Sequence, residues 1–126
     1  MGTGLSEIKD KKNDYATNEK MVAQDFYKFS LNFLKKYPEY EGRALWISGE
    51  SYAGHYIPNI SHYMLDKYLN DSEGDKKFDL KGIAMGNPWT APQIQYPAYL
   101  TFSFMNNLVS LKDYYKLMPA FDACGQ

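Results

Sequence analysis

A serine between small residues is the place in this 126-residue chain where covalent chemistry is most expected. Residues 49–54 read Gly-Glu-Ser-Tyr-Ala-Gly and follow the short apolar run 44–47, Ala-Leu-Trp-Ile. A serine on a tight turn from a strand into a helix is called a nucleophile elbow, and the turn exposes its hydroxyl. Its backbone is strained and its flanks pass close to other segments, so glycine is favoured there. Ser51 is therefore a candidate nucleophile.

The residue after the serine has its own expected role. In a nucleophile elbow, the backbone N–H of that residue points to the place where negative charge develops on the reacting oxygen. In this chain the residue is Tyr52. A glycine-rich turn without any chemistry would show the same short motif, so the surrounding elements must decide between the two interpretations.

A helix is predicted before the serine. Apolar residues recur there at steps of three and four, namely Val22, Phe26, Phe29, Phe33 and Tyr37. Asp14 and Thr17 are both candidate N-terminal caps, and Pro38 ends the run. The pattern predicts a helix from about Thr17 to the residue before Pro38.

Two strands are predicted on either side of a second helix. Residues 44–48 are apolar on both faces and lie between Gly42 and Gly49, which is typical of a buried parallel strand. Residues 80–85 form the second strand, which ends at a Gly-Asn-Pro turn. We expect both strands to be central ones, covered on both faces.

The remaining helices are predicted from similar patterns. Residues 56–69 form the helix after the elbow, with Ile60, Tyr63, Met64 and Tyr68 on its apolar side. Pro58 fits this helix only in its first turn, which requires a start near residue 54 or 55. Residues 99–107 and 112–118 are predicted to be two short aromatic helices. The order of elements indicates an α/β fold with a parallel sheet.

The composition and charge of the chain disfavour several classes of partner and site. The net charge is −1 without a long block of one sign, so nothing favours nucleic acid or an anionic membrane as a partner. No apolar stretch approaches the ~20 residues that a bilayer requires, and residues 1–14 contain no signal-peptide core. No ligand spacing predicts a metal site, and we expect no cofactor. The single cysteine, Cys124, is either a buried free thiol or the partner of a cysteine outside this sequence.

The stretch 49–58, Gly-Glu-Ser-Tyr-Ala-Gly-His-Tyr-Ile-Pro, resembles the active-site signature of the serine carboxypeptidases, which are α/β-hydrolases. The resemblance extends to residues 2–6, 23–40 and 83–90, and so spans essentially the whole chain. It implies a fragment of a three-layer α/β-hydrolase fold with parallel central strands. Residues 1–126 would be one partial domain, in which residues 91–126 begin a helical cap insertion.

The resemblance also implies roles for three neighbouring residues. Ser51 would attack the C-terminal peptide carbonyl, and Tyr52 would supply one oxyanion-hole N–H. Glu50 would bind the free C-terminal carboxylate of the substrate by sharing a proton with it at acid pH. From the residues alone, the favoured interpretation of Glu50 is a capping or structural carboxylate near the start of a helix.

The rest of a hydrolase triad is expected outside this chain. In the family, the catalytic Asp and His lie far beyond the nucleophile, after the insertion, and the second oxyanion donor lies before Met1. His55 and His62 follow the serine, but neither is expected to be the base, because the Ser51 hydroxyl should point away from the following helix. Asp113 and Asp122 also follow it, without any signal of a triad acid.

The function implied is that of a serine-type carboxypeptidase, which releases C-terminal amino acids through an acyl-enzyme. Its substrates would be peptide or protein C-termini, and the parent enzyme would be vacuolar, lysosomal or secreted. The isolated chain is expected to be inactive. Two alternatives stay open: an acyltransferase or esterase on the same scaffold, and a truncated relative without catalytic function.

Overall fold

Two parallel strands and four α-helices make up the described part of the chain. The computed structural model describes residues 4–10, 14–70 and 77–124. These residues divide into two units, Met1–Pro88 and Trp89–Gln126. The first unit contains helix α1 (Glu19–Lys36), strand β1 (Ala44–Glu50), helix α2 (Ala53–Asn70) and strand β2 (Asp79–Gly86). The second unit contains helices α3 (Pro92–Met105) and α4 (Leu111–Cys124).

The two strands pair in parallel, as the sequence predicts. Ile47 lies opposite Ile83 and Glu50 opposite Gly86, with an irregularity in register after Leu45. The prediction that β1 is covered on both faces is wrong for the described residues, because burial alternates along the strand. Ile47 is buried under the helices, whereas Trp46 on the opposite face is 66% exposed.

The first turn of α1 is capped by Asn18, which was not among the predicted caps. Neither Asp14 nor Thr17 is the cap. Asn18 has an extended backbone, and its side-chain oxygen accepts the Met21 N–H at 3.0 Å. The Asp14 carboxylate instead accepts backbone N–H groups of the preceding turn, including that of Asp10 at 2.8 Å. The helix ends at Lys36, one residue earlier than predicted, and Tyr37 is its C-terminal cap before Pro38.

The buried face of α1 is not the stripe on which its prediction rested. Ala23, Tyr27 and Leu34 are the buried residues of the helix. Of the predicted stripe, Phe29 is 63% exposed, although Val22 and Phe26 pack against the core. The spacing identified a helix correctly, but two apolar stripes share its circumference and only tertiary packing selects between them.

Helix α2 starts directly after the elbow, earlier than predicted. Because it begins at Ala53, Pro58 lies inside the helix and not in its first turn. A proline there removes one N–H from the helical hydrogen-bond ladder. The helix buries Ile57, Ile60 and Met64 against α1 and β1, where they join Ala23, Tyr27 and Ile47 in one core. The core thus anchors the helix that follows Ser51.

The second unit is a pair of helices, both longer than predicted. The Phe104 and Tyr114 rings, one from each helix, lie 4.9 Å apart between centroids. Leu100 is the buried residue of α3. Residues 2–6, which are part of the family resemblance, lie partly outside the described residues.

Candidate active site

Ser51 lies in the turn between the end of β1 and the start of α2, with a left-handed backbone. Its φ is 61°, a region that costs a non-glycine residue roughly 1–2 kcal/mol. The Ser51 N–H donates to the carbonyl of Gly86 at 3.0 Å, and its carbonyl accepts the Gly54 N–H at 3.1 Å. The strained backbone expected for an elbow serine is therefore present. It is held between the adjacent strand and the first turn of the following helix.

The structure gives a steric reason for the small residue on one side of Ser51, namely Gly49. A Cβ on Gly49 would come within 2.6 Å of the Ala53 methyl and 3.1 Å of Ile57 Cδ1. Only glycine fits there without a shift of the neighbouring residues. On the other side, the second residue after Ser51 is Ala53, whose buried methyl occupies that space. Of these two positions beside Ser51, only Gly49 must therefore lack a Cβ.

The Ser51 side chain is exposed and makes no hydrogen bond within the described part of the chain. Neither His55 nor His62 is therefore hydrogen-bonded to it. The His55 ring instead lies against the Tyr52 ring, with centroids 4.8 Å apart, and His62 is exposed on α2. That neither histidine is the base stays a prediction.

Asp113 has a structural role at the start of α4. Its backbone N–H donates to the Ser110 hydroxyl oxygen at 3.1 Å, and the Ser110 hydroxyl donates to its carboxylate at 2.6 Å. This is a reciprocal helix cap. Asp122 is exposed on the same helix.

Tyr52 packs against the first turn of α2. Its ring packs against the rings of His55 and Tyr56, each at 4.8 Å between centroids. Partial desolvation and, after it, the negative charge of Glu19 raise the pKa of the Tyr52 phenol above its ordinary value of 10.0. The phenol therefore stays protonated and remains a hydrogen-bond donor. The oxyanion role of the Tyr52 backbone N–H stays a prediction.

Glu50 is the last residue of β1 and is exposed. Its carboxylate accepts no hydrogen bond from the residues that the structure describes. The N–H groups of Gly54 and His55 in the first turn of α2 donate to backbone carbonyls instead, at 3.1 and 2.9 Å. The capping alternative for Glu50 thus has no supporting contact in this structure, and its substrate role stays a prediction.

Asn87, directly after the end of β2, also lies at the site. No role was predicted for it from the sequence. It follows Gly86, whose carbonyl is bonded to the Ser51 N–H, and it has a φ of 40°. Parallel strands end at the same edge of a sheet, so two strained residues lie at adjacent strand ends. In the sequence, the Gly-Asn pair at the end of the predicted strand could have indicated this position.

Comparison with known proteins agrees with this geometry. The family model described as serine carboxypeptidase matches residues 1–124. The chain is 35% identical over 126 residues to serine carboxypeptidase S10 family member 1 of Dictyostelium discoideum, covering all of this chain and 29% of that protein. It is 38% identical over 109 residues to the pheromone-processing carboxypeptidase KEX1 of Phaeosphaeria nodorum, covering 86% of this chain and 17% of the relative.

A solved structure adds the fold. The prohormone-processing carboxypeptidase Kex1Δp from Saccharomyces cerevisiae superimposes with a TM-score of 0.80 at 33% identity, over 92% of this chain and 24% of that one. The fold matched is an α/β-hydrolase fold. The chain belongs to the serine carboxypeptidase family, a family of hydrolases. It spans less than a third of the length of each of these relatives.

Two further features bear on the class of site. None of the helices within the described ranges combines the length and hydrophobicity that a bilayer crossing requires. Within the same ranges, no three His, Cys, Asp or Glu side chains are grouped as metal ligands would be.

Proposed function

We propose that this chain carries the nucleophile of a serine carboxypeptidase, and that Ser51 is that nucleophile. The observation that supports it most is the φ of 61° at an exposed serine that follows the end of a parallel strand. A strained, exposed serine with a helix starting two residues later is what acyl transfer through an elbow requires. Membership of the serine carboxypeptidase family supports the same proposal.

The proposed reaction has two steps. The Ser51 oxygen attacks the carbonyl carbon of the last peptide bond as a base removes the hydroxyl proton. The C–N bond then breaks, and the released amino acid takes up that proton on its nitrogen. Water hydrolyses the acyl-serine and restores the hydroxyl. The Tyr52 N–H stabilises the oxyanion in both steps.

The base, its orienting acid and the second oxyanion donor are proposed to come from sequence outside residues 1–126. The Ser51 hydroxyl has no hydrogen-bond partner in the described part of the chain, and Asp113 is engaged at the start of α4. An elbow without its base retains little catalysis. The isolated 126-residue chain should therefore have no appreciable peptidase activity.

Glu50 is proposed to select substrates with a free C-terminus. Its carboxylate is exposed at the end of β1, next to Ser51, and it makes no hydrogen bond within the described residues. Two carboxylates bind each other when they share one proton, which favours acid pH. In the full-length protein, Glu50→Gln should reduce the preference for free over amidated peptides by about tenfold, the effect of losing a charge-assisted hydrogen bond.

The substrate class is proposed to be peptides and proteins with free C-termini. Two of the relatives are named for processing pheromones and prohormones. A route through the secretory pathway, to a vacuolar, lysosomal or extracellular destination, is part of the same proposal. Residues 91–126, which include α3 and α4, are proposed to begin the helical cap insertion of a three-layer domain.

An active-site probe tests the nucleophile directly. Full-length protein treated with a fluorophosphonate should be labelled at Ser51, as mapped by mass spectrometry, and Ser51→Ala should abolish labelling. Ser48→Ala, at an exposed serine on β1, is the matched control and should label normally. A full-length protein that resists labelling would indicate the non-catalytic alternative. Equal cleavage of free and amidated substrates would instead favour an esterase or acyltransferase.

A further inference from the structure

The chain leaves both strands of the sheet through a residue with a left-handed backbone. Ser51, one residue past the end of β1, has a φ of 61°, and Asn87, one residue past the end of β2, has a φ of 40°. One hydrogen bond connects the two places, because the Ser51 N–H donates to the carbonyl of Gly86 at 3.0 Å. The residue that accepts the bond is thus the direct neighbour of Asn87.

The backbone of Asn87 is strained for two independent reasons. Residues other than glycine avoid a φ of 40°, although asparagine tolerates it better than most. In addition, Pro88 follows, and the residue before a proline is pushed towards an extended backbone with a negative φ. The local sequence therefore favours a different conformation from the one observed. Such a conflict persists only where the surrounding structure enforces it, and it is typical of functional sites.

The conformation of Asn87 sets the direction of the carbonyl to which Ser51 is bonded. A peptide unit is planar, so the Gly86 carbonyl and the Asn87 N–H rotate together. The φ of Asn87 is the angle between that plane and the chain that continues to Pro88. A change in this φ would therefore tilt the Gly86 carbonyl away from the Ser51 N–H.

The side chain of Asn87 has no comparable contact. It is exposed and makes no hydrogen bond within the ranges that the structure describes. A glycine would adopt the same φ without strain, but with more conformational freedom to lose on folding. The influence of Asn87 on the elbow therefore passes through its backbone.

We propose that Asn87 is a positioning residue for the nucleophile elbow, acting through its left-handed backbone. It directs the Gly86 carbonyl at the Ser51 N–H and so holds the strand side of the elbow. The Gly54 N–H holds the helix side by donating to the Ser51 carbonyl at 3.1 Å. The catalytic consequence rests on the proposed function, whereas the effect on the geometry of the elbow does not.

Hydrogen–deuterium exchange in the full-length protein tests the geometry without requiring activity. Asn87→Ala should speed exchange of the Ser51 amide by about three- to tenfold, because alanine adopts a positive φ less readily than asparagine. Asn87→Gly should stay within about twofold of wild type, since glycine adopts this φ freely. Single-residue resolution is required, and the amides of residues 45–48 in the middle of β1 should keep their wild-type rates in both variants.

A matched control comes from a second asparagine with a positive φ. Asn107 has a φ of 58° and lies in the second unit, after the end of α3. Asn107→Ala carries a comparable backbone cost and should leave the Ser51 amide at its wild-type rate. An equal effect of Asn107→Ala, or faster exchange throughout residues 45–48, would show general loosening and overturn the inference.

The glycine variant separates the backbone of Asn87 from its side chain. If Asn87→Gly speeds exchange as much as Asn87→Ala, the amide side chain carries the effect and the inference is wrong. It is equally wrong if the Ser51 amide is unchanged in Asn87→Ala, because the φ of residue 87 then has no influence on the elbow.

Kinetics add a readout that a merely structural role would not change. With rates normalised to the fluorophosphonate-labelled sites, Asn87→Ala should lower kcat by about three- to tenfold and leave KM unchanged, because a displaced nucleophile reacts more slowly without weakening substrate binding. Asn87→Gly should recover most of this loss. A raised KM at unchanged kcat would indicate a substrate contact and contradict the catalytic consequence. If the wild-type protein is not labelled but the exchange pattern holds, the proposed function fails and the positioning role stands.

Discussion

At the scale of single residues, the site is defined by a serine held in a conformation that serine avoids. The φ of Ser51 is 61°, and the neighbouring Asn87 has a φ of 40°. Such strain persists only where the surroundings enforce it, and it is concentrated at functional sites. The adjacent strand and the first turn of α2 enforce it here, through the backbone hydrogen bonds of Ser51 to Gly86 and Gly54.

The strain at Ser51 predicts that glycine and alanine substitutions there differ in stability in the opposite sense from those at an unstrained serine. Ser51→Gly should make the full-length protein about as stable as Ser51→Ala, or up to about 1 kcal/mol more stable, because glycine tolerates positive φ. At Ser48, whose φ is not positive, glycine should be about 0.5–1 kcal/mol less stable than alanine. Urea unfolding of the four variants measures both differences. The same loss for glycine at both positions would show that Ser51 is not strained.

Gly49 should tolerate no side chain. In the full-length protein, Gly49→Ala should cost about 1–3 kcal/mol, because its Cβ would overlap the Ala53 methyl at 2.6 Å against a packed helix. Gly86→Ala is the matched control, since a Cβ there would meet only Glu50 Cγ at an ordinary 3.5 Å. Thermal unfolding compares the two variants. Equal small losses would contradict the close packing of α2 on β1.

At the scale of elements, sequence patterns predicted the types and order of the helices and strands better than their ends. The apolar runs and their bounding glycines were sufficient for two parallel strands. The start of α1 was missed because Asp14, Thr17 and Asn18 can all cap a helix, and only the observed backbone selects among them. The start of α2 depends on where the elbow ends, which no periodicity marks.

The candidate site also has a part that the sequence predicts and a part that only the fold reveals. Ser51, Tyr52 and Glu50 are contiguous, so one motif was enough to nominate them. The hydrogen bond between the Ser51 N–H and the Gly86 carbonyl joins residues far apart in the sequence, and it exists only once β2 pairs with β1. Single-sequence patterns carry no signal for such a pair.

The cap of α1 offers a test between the sequence prediction and the structure. Asn18→Ala should destabilise the full-length protein by about 1 kcal/mol, because the Met21 N–H loses its acceptor. Thr17→Ala, at one of the two cap candidates from the sequence, should change stability by less than about 0.5 kcal/mol. Urea midpoints distinguish them, and a larger loss at Thr17 would show that the cap lies there.

At the scale of the whole molecule, the first unit has a sheet of two strands with one covered face. Trp46, on the face opposite the buried Ile47, is 66% exposed, and even Ile83, which pairs with Ile47, is 41% exposed. Two strands are too few for an independently stable sheet, and unpaired edges promote association. The chain spans 24% of the matched structure, which fits a segment whose sheet is completed by further strands.

The exposed sheet predicts the behaviour of the isolated 126-residue chain. It should aggregate or form a partly molten state, with strong binding of a hydrophobic dye and broad thermal unfolding. Analytical ultracentrifugation and calorimetry measure this. A monomer with a sharp, cooperative transition would contradict it.

The central claim is that Ser51 is the nucleophile of a carboxypeptidase, and release of C-terminal residues tests it most directly. Full-length protein should remove single residues from a peptide with a free C-terminus at acid pH, and mass spectrometry follows the shortening. The amidated peptide should stay intact, and Ser51→Ala should lower the rate by at least about a thousandfold. Undiminished release by Ser51→Ala would contradict the account.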